Sequence, residues 1–353
     1  MSILFAILLF SILIFVHELG HFAAAKLSGV QVNEFSLFMG PAIWKKQVGE
    51  TLYAIRTIPI GGYCAMEGED GGSDSPRAFQ KADWWKRLII LVAGAAMNFL
   101  AGAVLMVMVY LPAEAVVIPV IDSFESYSTV CGEHGLQPGD RIVELDGERI
   151  YVQPDISMIL ELNSGDIHDI VVERNGTRVV LEDFFMEKHL VTDSKGAERM
   201  MFGMNYSVEK LDFAGKLRHS WYQCLDTVRI VRISLQMLLS GQAGIRDMSG
   251  PVGIVQMMSE TAEKSETKQD AMLNLLYYGA FIAINLAVMN LLPFPALDGG
   301  RVVGLLITTI AETIIGRKID PKYEGWFHSA GMLLLLLLMA VIMFKDIIFL
   351  FRR

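Results

Sequence analysis

Four long apolar segments constrain the fold of this 353-residue chain more than any other feature. Each is close to the roughly 20 residues that a helix needs to cross a bilayer. They cover residues 3–26, 88–111, 272–292 and 329–350. Hydrophobic residues make up 53% of the sequence, a share that is high for a soluble protein. The pattern predicts a polytopic α-helical membrane protein with about four transmembrane helices.

The charge balance and the cysteines argue against two other classes of protein. The formal net charge is -9, and no basic run is longer than a pair, so a nucleic-acid-binding surface is not expected. Cys64, Cys131 and Cys224 lie far apart in sequence and form no CxxC pair. Neither a disulfide framework nor a cysteine-rich metal site is therefore expected.

The loop between the first two apolar segments carries most of the orienting charge. Its basic residues are Lys26, Lys45, Lys46, Arg56, Arg77, Lys81, Lys86 and Arg87, whereas the first 25 residues contain no Lys or Arg. The positive-inside rule therefore predicts that this loop is cytoplasmic and that both termini lie outside the membrane. Since no basic residue precedes the first segment, a membrane span is favoured there over a cleaved signal peptide.

Residues 112–212 are typical of a folded insert rather than of membrane helices. Runs of β-branched residues such as VIPVI, RIVEL and IHDIVVER alternate with turn sequences such as PGD and NGT. The segment HGLQPGDRIVELDGERI, residues 134–150, resembles the core of a PDZ domain, and PDZ domains bind peptides by adding them to a sheet edge. The topology places this PDZ-like α/β insert outside the cell, where it could equally be a spacer without a ligand.

The sequence divides into four parts on this basis. The first part, 1–111, holds two membrane helices and a loop, and the PDZ-like part, 112–212, follows it. Residues 213–270 are an amphipathic helical linker, because apolar residues recur at helical spacing between Asp226, Arg229 and Arg232 within 213–240. The last part, 271–353, holds the remaining two membrane helices.

The segment HELGH interrupts the first apolar run with three ionisable groups. It fits the pattern H-E-x-x-H, in which His17 and His21 share one face of a helix and can bind one metal ion. Glu18 is close enough in sequence to act on a water bound to that metal. A divalent cation offsets the cost of these groups in lipid, although a proton path through the membrane is an alternative.

A catalytic zinc site needs a third protein ligand, and the sequence offers one candidate. Asp298 is the only acidic residue between Ala271 and Ala311. Under the predicted topology it lies towards the cytoplasmic leaflet, as HELGH does, so the two motifs can meet. The alternative for Asp298 is a role as N-cap of the following helix. We therefore expect a Zn²⁺ cofactor held by two imidazoles and one carboxylate.

These motifs together resemble the site-2 protease family of intramembrane zinc metalloproteases. The matching segments are HELGH, FMGPAIW, IRTIPIGGYCAMEGE, RLIILVAGAAMN, GPVGI and NLLPFPALDGGR. Within the family, the chain resembles the bacterial branch with a PDZ insert, which cuts anti-sigma factors and remnant signal peptides in regulated intramembrane proteolysis. This likeness implies a location in the plasma membrane of a bacterial cell. Two departures from the family pattern are visible. Ala95 stands where the family usually has proline before the asparagine of the second span, and the insert holds a single PDZ-like unit where some relatives carry two.

The resemblance implies a role for each matching residue. It assigns His17, His21 and Asp298 as the zinc ligands, Glu18 as the general base and Asn290 as a substrate-binding residue. It further implies that ETLYAIRTIPIGGY forms a hairpin that dips into the bilayer, whereas periodicity alone fits a plain cytoplasmic hairpin equally well. The expected partners are transmembrane-helix substrates, the lipid bilayer and a peptide ligand for the insert.

Two other functions compete with proteolysis. One is a catalytically inactive membrane scaffold whose working part is the PDZ-like insert. The other is a proton or ion translocator in which His17, Glu18 and Asp298 relay protons.

Overall fold

The structure is a computed structural model that describes residues 2–69, 73–132, 134–163, 165–192, 198–244, 250–316 and 322–351. Its helices are α1 (Ser2–Leu27), α2 (Trp84–Tyr110), α3 (Pro154–Leu162), α4 (Phe213–Leu239), α5 (Pro251–Lys264), α6 (Lys268–Asn290), α7 (Asp298–Ile315) and α8 (Lys322–Phe351). Its strands are β1 (Val32–Val48), β2 (Thr51–Met66), β3 (Ala115–Phe124), β4 (Arg141–Leu145), β5 (Glu148–Arg149), β6 (Ile167–Arg174), β7 (Thr177–Phe185), β8 (His189–Thr192), β9 (Glu198–Met201) and β10 (Met204–Lys210).

The chain forms two compact units. The first comprises Met1–Val109 together with Thr227–Arg353, and the second is Tyr110–Asp226. The first unit contains the hairpin β1–β2 and most of the helices, and the second contains the larger sheet. The four-part division expected from the sequence is finer than this and stays a prediction.

Within the described residues, three helices are long and apolar enough to cross a membrane. They are Ile7–Leu27 of α1, together with α2 and α6. The fourth predicted span lies in α8, whose apolar stretch Ser329–Lys345 is shorter than the other three. The structure thus bears out three apolar helices of sufficient length, and the total number of spans stays a prediction.

The loop after α1 folds into a hairpin in which the chain doubles back on itself. Residues 34–37 of β1 pair with residues 62–65 of β2 on one side and with residues 52–55 on the other. Gly49, with φ of +61°, allows the tight turn between the two strands. The predicted hairpin is confirmed, but it is larger than expected because its first strand begins at Val32.

Phenylalanines at both ends of FVHELGHF fix this hairpin to α1. The ring centroids of Phe15 and Phe22 lie 5.8 Å and 4.9 Å from that of Phe35 in β1. Because residues 15 and 22 are seven positions apart, they lie on one face of the helix. The hairpin therefore covers the face of α1 that also carries Glu18.

The second unit is built around an antiparallel sheet with the strand order β10-β3-β4-β6-β7, with β5 paired to β4. Its apolar core includes Ile121, Leu136 and Ile170. The buried carboxylate of Asp140 accepts hydrogen bonds from the Arg174 guanidinium at 2.7 Å, which fixes the PGD turn before β4. The strands expected within the insert are confirmed as β3, β4, β6 and β7, while the likeness to a PDZ domain stays a prediction.

The predicted helix at 213–240 is α4, but its apolar stripe is not uniformly buried. Leu217 and Trp221 are 41% and 49% exposed, whereas Ser220 and Gln223 are buried. The apolar stripe is therefore partly exposed in the first half of this helix. An exposed apolar face suits a helix that lies at a membrane surface.

Candidate metal centre

Helix α1 brings the two histidines of HELGH together. His17 and His21 lie one turn apart, and their Nε2 atoms are separated by 3.2 Å. The two rings meet edge to face, with centroids 4.7 Å apart. Four-residue spacing on a helix therefore places both imidazoles where one cation can contact them, as the motif predicts.

Asp298 reaches the same point from the other end of the chain. Its Oδ2 lies 3.2 Å from Nε2 of His17 and 3.3 Å from Nε2 of His21. It is the first residue of α7, and Leu297 occupies the N-cap position without a capping side-chain hydrogen bond. Asp298 is thus not the N-cap, and its carboxylate points to the histidines.

Two glycines allow the chain to bring Asp298 into this position. A Cβ on Gly299 would lie 2.3 Å from the carbonyl carbon of Leu291, and one on Gly300 would lie 2.2 Å from the carbonyl oxygen of Phe294. Only residues without a side chain tolerate this approach, so the short connection between α6 and α7 folds tightly over the start of α7. The sequence LDGG is therefore a packing requirement as well as a ligand motif.

The three side chains suit a zinc ion because they have suitable ligand atoms and because a buried carboxylate oxygen among them has no hydrogen bond within the part of the chain that the structure describes. Among the described residues, His17, His21 and Asp298 are the one group of His, Cys, Asp or Glu side chains able to hold a metal, with ligand atoms within 4.8 Å of one another. Asp298 Oδ2 is buried and receives no hydrogen bond from any described residue. Two imidazole nitrogens and one carboxylate oxygen match the ligands of catalytic zinc sites.

Helix α2 supports the histidines from behind. The Nδ1 atom of His21 lies 2.8 Å from the backbone carbonyl oxygen of Ile90. A Cβ on Gly94 would lie 2.3 Å from Nε2 of His21 and 2.7 Å from Cε1 of His17, so glycine is required there. At Ala95, where the family usually has proline, α2 continues as a regular helix.

Glu18 faces the hairpin rather than α2. A Cβ on Gly62 of β2 would lie 3.4 Å from Cγ of Glu18, so this glycine leaves room beside the carboxylate. Residues 62–66 pair with β1 on one side only in the described register, and they form an edge of the small sheet. The predicted general base and an open strand edge are therefore neighbours.

Two asparagines lie close to Nδ1, the other ring nitrogen of His17. Nδ2 of Asn290, the last residue of α6, lies 3.5 Å from Nδ1 of His17. Nδ2 of Asn98 in α2 lies 3.4 Å from the same atom. The sequence assigned a role to Asn290 and none to Asn98, although Asn98 ends the matching segment RLIILVAGAAMN. The signal was present, because an amide in an apolar membrane helix is costly unless it has a partner.

Comparisons with known proteins show which family the chain resembles. The model of peptidase family M50 matches residues 5–338. A protein of Clostridium acetobutylicum, whose name classes it as a zinc metalloprotease, is 34% identical over 99% of this chain and 98% of its own length. A relative from Fusobacterium nucleatum with a name of the same class is 33% identical over 98% of both chains.

A further relative is the zinc metalloprotease RasP of Geobacillus kaustophilus, which is 26% identical over 98% of this chain and 97% of its own length. These matches confirm the predicted resemblance, the enzyme class and the zinc cofactor. The roles of individual residues stay predictions. The chain therefore belongs to peptidase family M50, the site-2 protease family, and is a membrane zinc metalloprotease.

Proposed function

We propose that the protein cleaves single-pass membrane proteins within the bilayer, in regulated intramembrane proteolysis. The observation that carries this proposal is that Asp298 of α7 meets His17 and His21 of the apolar helix α1, in a group able to hold a metal ion. Anti-sigma factors and remnant signal peptides are the proposed substrates, on the strength of the family resemblance. This function explains why HELGH places ionisable groups inside an apolar helix, because water and a metal ion must be brought to a peptide bond that lies in lipid.

In this proposal His17, His21 and Asp298 hold the zinc ion. When bound, zinc supplies a Lewis acid for the scissile carbonyl and lowers the pKa of a bound water to about 7. The chain itself fixes the ligand directions through Ile90 and through the tight connection before Asp298. Orientation by such contacts limits the motion of the ligands before substrate arrives.

Glu18 is the proposed general base. It accepts the proton of the attacking water at its carboxylate and later returns that proton to the departing amine nitrogen. It lies on the hairpin side of α1, one residue after His17, and its Cγ is beside Gly62 of the strand edge. A substrate lying along that edge would pass directly beside Glu18.

The hairpin edge is the proposed binding surface for the unwound substrate. A transmembrane helix must open before attack, and bare peptide groups in lipid cost several kcal/mol each. Residues 62–65 pair with β1 on one side only among the described residues, so an extended segment can add to their open side as an extra strand. Asn290 is the proposed side-chain contact to that segment.

The exposed surface of the hairpin supports its contact with the bilayer. Met39, Ile43 and Trp44 are 47%, 70% and 49% exposed. Such an apolar surface is costly in water and favourable at the lipid interface. We propose that the hairpin enters the cytoplasmic leaflet, that α8 is a fourth span, and that both termini and the insert are outside the cell.

The insert has a groove suited to a peptide. Strand β10 lies at an edge of the large sheet, and a cavity of about 660 Å³ runs along it beside α3. Ile156, Leu160 and Tyr206 line this cavity, with Lys188 also part of its lining. We propose that an extended peptide adds to β10 here, as peptides add to the sheet edge of PDZ domains.

A comparison of membrane proteomes tests the proteolytic function. A Glu18→Gln strain should accumulate single-pass proteins as truncated stubs that the wild type removes. Unchanged processing of every membrane protein would favour the scaffold. Zinc content distinguishes the protease from a proton or ion translocator, because the purified protease should hold about one zinc per chain. Zinc retained by a His17→Ala variant would contradict the proposed ligand set.

A further inference from the structure

The two ring nitrogens of His17 face different surroundings. Nε2 faces His21 and Asp298, at 3.2 Å from each nearest atom. Nδ1 faces the amide nitrogens of Asn98, at 3.4 Å, and of Asn290, at 3.5 Å. The first side of the ring therefore belongs to the metal centre, while two amides crowd the second side.

The chemistry of imidazole restricts what can face Nδ1. A neutral imidazole carries one N–H, and when the Nε2 lone pair is directed at a cation the hydrogen is on Nδ1. An N–H donor needs an acceptor, and an amide NH₂ group is not one. One of the two asparagines can meet this need by presenting its oxygen to His17.

Burial identifies Asn98 as that asparagine. Its side chain is only 1% exposed, and its Oδ1 is buried without a hydrogen-bond partner among the described residues. A half-turn about the last side-chain bond exchanges the amide oxygen and nitrogen, two atoms of nearly the same size. The exchange gives both the buried oxygen of Asn98 and the Nδ1–H of His17 a partner.

We propose that Asn98 is a positioning residue of the metal centre, whose carbonyl oxygen accepts the Nδ1–H of His17 and so directs Nε2 at the zinc ion. This inference rests on the ligand set of the proposed function. It gives the two asparagines separate tasks, because Asn98 holds the ligand and Asn290 stays available to the substrate.

His21 provides the parallel for this arrangement. Its Nδ1 already lies 2.8 Å from a carbonyl oxygen of α2, that of Ile90. Ile90 and Asn98 are two helical turns apart on α2, and Gly94, against which both imidazoles pack, lies midway between them. Helix α2 thus supplies one acceptor to each histidine, from the backbone for His21 and from a side chain for His17. Metal-bound histidines commonly have such acceptors.

Zinc affinity measured on the full chain in detergent tests the proposal. Asn98→Leu keeps the size of the side chain but removes the acceptor, and zinc affinity measured by competition with a chelator should fall by about 10- to 100-fold. Asn98→Asp keeps an oxygen acceptor and should bind zinc about as tightly as the wild type. The absorption spectrum of the Co²⁺-loaded protein should change for the leucine variant and not for the aspartate variant.

Asn290→Leu is the matched control, since Asn290 lies equally close to His17. It should leave zinc affinity unchanged. Thermal unfolding of the metal-free proteins establishes that each variant folds, and Asn98→Ala replaces the leucine variant if the latter does not. Three results would each overturn the proposal. The first is wild-type zinc affinity in Asn98→Leu, the second is an equal loss of zinc affinity in Asn98→Leu and Asn98→Asp, and the third is an equal loss of zinc affinity in Asn290→Leu.

Zinc affinity is measured without a substrate, so this outcome is separate from that of the proposed function. A wild-type protein that binds zinc but cuts no membrane protein would refute the proteolytic function alone. Unchanged zinc affinity in Asn98→Leu, with proteolysis intact in the wild type, would refute the role of Asn98 alone.

Discussion

Arg301 of α7 forms an ion pair with Glu69, which follows the end of β2. The side chains are only 26% and 15% exposed, and Glu69 also accepts a hydrogen bond of 3.2 Å from the backbone N–H of Met66. Arg301 is three residues after Asp298, so the two side chains lie on the same side of α7. The pair therefore connects the helix that carries the proposed third ligand to the hairpin that covers α1.

We expect Glu69→Gln to destabilise the protein by about 1–3 kcal/mol, because it leaves a half-buried guanidinium with a weaker partner. Thermal unfolding in detergent measures this loss, and zinc dissociation should become faster as Asp298 loses its support. The double variant with Glu69→Arg and Arg301→Glu should recover part of both properties. Stability and zinc dissociation equal to the wild type would show that the pair does not hold α7.

Gly94→Ala should abolish tight zinc binding. The added methyl group would occupy space 2.3 Å from Nε2 of His21, and the imidazole must move away from Asp298. Gly102→Ala is a matched control on the same helix, since its Cβ would lie 2.6 Å from Ile284 and away from the histidines. Both variants should unfold more easily, but chelator competition should show zinc loss for Gly94→Ala alone.

A spin label at residue 43 should report a lipid environment if the hairpin enters the bilayer. Ile43 is 70% exposed on β1, and Ile167 is 61% exposed on β6 of the insert. The exposed Cys131 is first replaced by serine so that the label attaches at the introduced cysteine. The label at Ile43→Cys should then collide more often with oxygen, which is concentrated in lipid, than with a polar relaxant. A label at Ile167→Cys should show the reverse. Equal accessibility to the polar relaxant would place the hairpin in water.

The sheet of the insert should lose stability at acidic pH through Asp146. Burial alone would raise the pKa of this carboxyl group, but hydrogen bonds from His168, Asn163 and the backbone N–H of Asp169 lower it below its ordinary value of 3.8. A carboxyl group with a lowered pKa stabilises the fold fully above its ordinary pKa, and this contribution is lost as pH falls through the folded pKa.

Hydrogen exchange of the β4 and β6 amides in the full chain measures this effect, after correction for intrinsic rates. Protection should be constant above about pH 5 and fall as pH drops towards 3 and below. In the Asp146→Asn variant these amides should be less protected from exchange at neutral pH, and their protection should fall less on acidification. A wild-type profile identical to that of the variant would contradict the assignment.

The sequence predicts the three side chains that meet in the structure because each is marked by local chemistry. HELGH places ionisable groups where a membrane helix tolerates few, and Asp298 is the single carboxylate in a long apolar region. The apolar length of three helices and the strands of the insert follow from composition and periodicity in the same way. These features are encoded within a few neighbouring residues.

The support around the ligands was not predictable because it depends on contacts between distant segments. Asn98 is 81 residues from His17, and Glu69 is 232 residues from Arg301. The doubled pairing of residues 34–37 is likewise a tertiary property, since periodicity cannot show that one strand has two partners. The helical stripe of α4 likewise predicts amphipathicity but not which face is covered, and the structure buries Ser220 while Leu217 stays 41% exposed.

The distance in sequence between the proposed ligands affects how the enzyme matures. His17 and His21 leave the ribosome early, whereas Asp298 follows 281 residues after His17 (298 − 17 = 281) and needs the folded connection between α6 and α7 to reach them. A partly synthesised chain thus has two of the three ligands and no complete centre. With this proposed ligand set, a complete metal centre requires that nearly the whole protein has been made and inserted, so unfinished copies would not cleave their neighbours in the membrane.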